Sequence, residues 1–225
     1  MLDTVFVNQV WVAIGVWVLL YCSDYTLTLV CAHWYRSGVD KHFVFKHLEL
    51  TPYYQKDIAE LRKFSPRFLV MLGLSCGAIW VVWSLQIWAV DVFSWWPEFL
   101  PNIYRFILGA FVLMEMAVHV RHCQNLVLFA YARHSRGVQG QVIYSAWLSY
   151  RSSAIQLVSF AIVFLLSYLL TSNWFFIGGT FKCLVEAANH WKLSGRETEA
   201  SEVSAQAGTV NSVSDQEVGP AGNNG

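Results

Sequence analysis

Four long apolar runs alternate with polar, basic segments along the chain. They cover about 5–32, 68–90, 103–121 and 154–176. Each is close to the roughly 20 residues needed to cross a bilayer hydrocarbon core as a helix. The second and fourth runs carry no charge, and the first carries only Asp24. Aromatic residues of the kind that settle at membrane interfaces flank them, namely Trp34, Tyr35, Trp95, Trp96, Tyr104, Tyr150 and Trp174. The predicted fold class is all-α: a multi-pass transmembrane four-helix bundle. Residues 1–193 form its membrane domain, and 194–225 form a polar tail with no aromatic, Leu or Ile, expected to be disordered.

Composition strengthens this picture. Of 225 residues, 56% are hydrophobic and 13% charged, too little charge to cover a soluble globule of this size. Formal net charge is zero, so no global field argues for nucleic acid as a partner. The five Cys form no CxxC pair and are expected to be reduced helix-packing residues. The start lacks a basic segment, so the first run is expected to act as an uncleaved anchor rather than a signal peptide.

The basic residues set an orientation. Seven lie between Arg36 and Arg67, and Arg121, Arg133, Arg136 and Arg151 lie between the third and fourth runs, together eleven of the fifteen. Those two regions should be cytoplasmic in a plasma or inner membrane, with both termini on the non-cytoplasmic side. Within the first loop, Thr51-Pro52 followed by Tyr54, Ile58 and Leu61 predicts an amphipathic helix over about 52–64 lying on the inner membrane surface.

Helical periodicity continues past the third run to about Ala132 and resumes near Val142, with Gly137 and Gly140 between. Long helices 3 and 4 are therefore expected to form a hairpin that protrudes into the cytoplasm by about 15 Å, its tip at about 122–150. A turn at Gly137 sets residue 122 opposite 152, so His119 and His122 should face Ser152, Ser153 and Gln156. Gly73 and Gly77 form a small-xxx-small step expected to pack the second span against a neighbour.

Ionisable groups inside a membrane are costly and mark candidate sites. Glu115, His119 and His122 share one helical face, and Asp24 and Thr28 share another with Tyr21 and Cys31. The two stripes should meet, because lipid cannot satisfy them. Three functions fit such a network. It can be a structural lock in a non-enzymatic component that binds the bilayer and, through the hairpin, a membrane partner or a second copy. It can be the proton or cation site of a small oligomeric channel or transporter. Or it can hold metal or haem in a redox subunit, through Glu115 and His119, Glu186 and His190 with Cys183, or His33 paired with His119 or His122. The Glu186 set is expected on the outer side, beyond Gly178-Gly179, away from Glu115. No catalytic residue is assigned, since the chain has no HExxH, GxSxG or phosphate-loop motif. No cofactor is assigned either.

Overall fold

The computed structural model describes residues 8–46, 49–51, 53–92, 99–134 and 140–214. Six α-helices dominate: α1 Val10–Arg36, α2 Gln55–Ala59, α3 Pro66–Val92, α4 Phe99–His134, α5 Ala146–Thr171 and α6 Trp174–Ser214. Four of these, α1, α3, α4 and α5, are long and apolar enough to cross a membrane. The two short strands β1 (Phe43–Phe45) and β2 (Val142–Tyr144) pair in parallel, Val44 opposite Ile143. They tie the loop after α1 to the loop before α5, over an aromatic cluster of Phe43, Phe45, Phe129 and Tyr144.

Local chemistry explains the helix limits. Gly38, at φ +125°, turns the chain out of α1 in a conformation that side chains resist. Ser145 caps α5, its hydroxyl accepting from the Leu148 amide at 3.2 Å. The fourth apolar run contains a sharp reversal. Ser172 adopts the left-handed conformation at φ 53°, and the Asn173 side chain accepts from the Phe175 amide at 3.0 Å, starting α6. Hydropathy runs straight through this turn, so the expected span 154–176 is cut at Thr171.

The chain after that turn comes back. α6 packs along both α5 and α4. Thr180 bonds Ala161 of α5, His190 bonds Ser153, and Arg151 bonds Ser194, an antiparallel ladder descending α5. Against α4 the approach is backbone to backbone. A Cβ at Gly109 would lie 1.8 Å from the Phe175 carbonyl oxygen, and one at Gly178 would lie 1.9 Å from that of Phe106. Only glycine permits this separation.

Several expectations change. Helices α4 and α5 meet through side chains, Arg121 donating to Ser153 and Gln156 to Gln124, and α6 joins them as a third helix that packs along both. Residues 135–139, including the expected turn at Gly137, lie outside the described residues. Lys46 pairs with Glu197, so the chain at 197 sits at the same end of the bundle as the first loop, opposite Val10. We call this the loop end. The segment from 194, expected to be disordered, continues α6 to Ser214. The helix expected over 52–64 is reduced to Gln55–Ala59, with Pro52 outside the described residues. Its Asp57 is buried, bonded by Ser65 and 3.4 Å from Arg62, and Ile58 packs under Tyr25. This segment is thus a packed plug against α1, not a helix floating on lipid. Gly73 and Gly77 face away from the bundle with open space at both, while Ile79 on the other face of α3 is buried.

Candidate functional site

The interior toward the loop end is polar. Asp24 on α1 faces His122 on α4, with Asp24 Oδ1 and His122 Nε2 2.8 Å apart. Thr28, one turn further along α1, reaches the same Nε2 at 3.3 Å and donates to the Asp24 carbonyl. One turn earlier on α4, His119 Nδ1 donates to the Glu115 backbone carbonyl at 2.7 Å. A carbonyl can only accept, so this bond fixes the Nδ1–H tautomer and leaves Nε2 with a lone pair. Ser23 Oγ lies 2.7 Å from that Nε2. The two stripes expected from helical spacing therefore do meet, and Ser23, adjacent to Asp24, joins them.

Of these residues Asp24, Thr28, Glu115 and His122 border a cavity of about 240 Å³, walled mainly by α1, α4, α6 and the chain around Glu49–Thr51 and Tyr54, while Ser23 and His119 lie outside its lining. Its charged lining comprises Asp24, Glu49, Glu115, Glu186, Arg121 and Lys182. The cationic members are engaged elsewhere: Lys182 bonds Glu186 on its own helix, and Arg121 donates to Ser153 at 2.7 Å. His190 reaches the same Ser153 from α6 at 2.9 Å. The Glu186 and His190 pair thus borders the chamber that holds Glu115 and His122, rather than lying on the opposite side as its position beyond Gly178-Gly179 suggested. The reason is the reversal at Ser172-Asn173, which brings α6 back alongside α4.

A second cavity of about 350 Å³ opens toward the loop end and shares Glu49, Leu50, Arg121 and His122 with the first. Ser152, Ser153 and Gln156 line it from α5, and Gln156 donates to Gln124 at 2.9 Å. His122 shares this space with them; His119 does not, and instead borders an apolar groove along the outside of α4. His33 is exposed at the end of α1 and lines neither polar cavity, so the proposed haem pairing of His33 with His119 or His122 has no geometric support.

Among the described residues, four buried side-chain atoms lack a hydrogen-bond partner: Asp24 Oδ1, Glu115 Oε2, His122 Nδ1 and Gln86 Oε1. Three of them belong to the chamber. Asp24 Oδ1 is near His122 Nε2 but not aligned for a hydrogen bond, so the short distance does not satisfy it. Unsatisfied buried groups cost about 1–3 kcal/mol each, and their concentration here calls for a ligand or water. Sequence reasoning missed Ser23, Lys182 and Glu49. Lys182 had a legible signal, since it precedes Glu186 by one helical turn, but its depth depended on the fold.

No protein-family model, curated protein or solved structure matches this chain significantly. The site is accordingly read from its own chemistry.

Proposed function

We propose that this chain is a membrane-embedded cation-binding protein whose chamber opens at the basic-loop end. The supporting observation is the convergence of Asp24 Oδ1, Glu115 Oε2 and His122 Nδ1, all buried atoms without a hydrogen-bond partner, on residues that line one cavity. Two carboxylates held in a low-dielectric interior favour a cation strongly over empty space. The cavity shared by His122, Ser152 and Gln156 supplies a polar approach to it.

Binding fits this geometry better than conduction. Beyond the chamber, toward the end bearing Val10, the interior is filled by Trp17, Tyr104, Leu108 and Val112, and by the glycine contacts of α4 with α6. A channel would need a polar path through that apolar plug.

By the excess of basic residues in its loops, the chamber end is cytoplasmic. On that orientation the chain at 197 is cytoplasmic and Val10 lies on the other side. Protease protection of the two ends in sealed vesicles tests this: opposite accessibility is expected, and equal accessibility rejects it.

The function is tested by thermal unfolding of the full chain in detergent across chlorides of monovalent and divalent cations. A ligand that binds only the folded state raises the unfolding temperature. At least one cation should do so in the wild type and lose its effect in Glu115→Gln. Equal curves in all salts would reject the reading.

A further inference from the structure

We propose that a divalent transition-metal ion of the zinc, manganese or iron class binds at the wall of the chamber, ligated by Asp24 and Glu115 from its lining and by His119 beside it. This rests on the cation-binding reading and names its ligand. One donor atom from each of these three residues lies within 4.8 Å of the others, and no other such trio occurs among the described residues. Metal–ligand bonds of about 2.0–2.2 Å bring donors to roughly 3–3.5 Å of one another, so closure requires about an ångström of side-chain movement. Glu115 Oε2 has no bond to break in making it.

Three features favour metal over a simple monovalent ion. The donor set mixes imidazole nitrogen with two carboxylates, which suits zinc, manganese and iron more than sodium or potassium. The charges also balance: two carboxylates and a neutral imidazole cancel a divalent charge, leaving no net charge buried from this group. Neither nearby cation makes a hydrogen bond to Asp24 or Glu115: Lys182 is paired with Glu186, and Arg121 donates to Ser153.

The imidazole is also prepared. A metal-binding His commonly donates its other ring N–H to a carbonyl or carboxylate, which fixes the tautomer. His119 does this through Nδ1 to Glu115 O, leaving Nε2 as the ligating atom. The Ser23 hydroxyl that meets Nε2 lies 2.9 Å from the Leu20 carbonyl and can turn its proton there, freeing the lone pair. His122 is 6% exposed, with its Nε2 2.8 Å from Asp24 Oδ1. Asp24 and Glu115 border the cavity, so a remaining coordination position faces the chamber and accepts water or a small ligand.

The test uses the full chain in detergent, stripped with chelator and titrated with Co2+ followed by visible absorption, then competed with Zn2+. One Co2+ per chain is expected, displaced by Zn2+, with affinity reduced about tenfold or more in Glu115→Gln and His119→Gln. Metal-free unfolding curves of the same variants check that they are folded. Zinc-edge X-ray absorption on the wild type is independent of any variant: it should show oxygen and nitrogen ligands with one imidazole. Unchanged Co2+ affinity in both variants, or a shell containing sulfur or two imidazoles, overturns the assignment. If Co2+ and Zn2+ do not bind while another cation still raises the unfolding temperature, this inference fails and the cation-binding reading survives. If no cation acts, both fail.

Discussion

The two ends of the α4–α6 interface obey different rules. At the end bearing Trp174, the helices touch through Gly109, Gly178 and Gly179, with no room for a single methyl group. One to two turns further along, the same helices stay packed through Ala117, Cys183 and Ala187, and beside that seam lies a polar cavity bordered by Glu115, Lys182 and Glu186. Inside a bilayer, hydrophobicity does not drive helices together, because lipid is as apolar as the side chains. Close approach at the glycines supplies dispersion and fixes the register. Beside the continuing seam, larger polar residues on both helices face the chamber. One end specifies the architecture, and the other is available for a ligand.

The sharpest way to break this contrast is to add a methyl group at the tight end. Gly178→Ala drives Cβ into the Phe106 carbonyl and should cost about 3 kcal/mol or more, read as lost folded yield and early unfolding in detergent. Gly109→Ala should behave alike. Normal stability in either variant would show that the two backbones do not touch.

Next is the plug that covers the chamber. Asp57→Ala removes a buried carboxylate that receives Ser65 and lies by Arg62, and should cost about 2 kcal/mol. At the chamber itself the sign reverses. Glu115→Gln removes a buried charge with an unpartnered oxygen, so the cation-free protein should gain about 1 kcal/mol while its response to cations disappears. A loss of stability without cation would mean that Glu115 supports the fold.

Smaller effects sharpen the boundary. Arg151 lies 3.6 Å over the Trp191 ring and bonds Ser194, locking α6 to α5 at the loop end. Trp191 is half exposed, so Arg151→Ala should cost only about 1 kcal/mol, measurable by unfolding in detergent. Gly73→Ala and Gly77→Ala meet open space and should change monomer stability by about 0.5 kcal/mol or less, toward greater stability. The contrast with Gly178→Ala then isolates contact from glycine content.

The candidate site was partly legible before any fold. Asp24, Thr28, Glu115 and His122 stand out because charge and imidazole are rare in apolar runs, and helical spacing puts them on two faces. Lipid leaves such faces only each other, so their meeting follows from solvation. His190 and Glu186 were visible as a pair but not as neighbours of Glu115. Nothing in hydropathy marks Ser172 as left-handed, and that one residue decides whether α6 leaves the bundle or returns through it. Gly73-xxx-Gly77 and Gly178-Gly179 look equally suited to packing; only the second pair meets a helix.

Local chemistry written along the chain was enough to determine four membrane-length helices, the basic excess of two loops and the polar stripes, because each depends on residues within a few turns. The packing of α6 along both α4 and α5, the chamber and its donor trio depend on a reversal at residues 172–173 and on Gly109 and Gly178 letting the α4 and α6 backbones meet. Such pairings join residues far apart in sequence, and only the packed structure decides them.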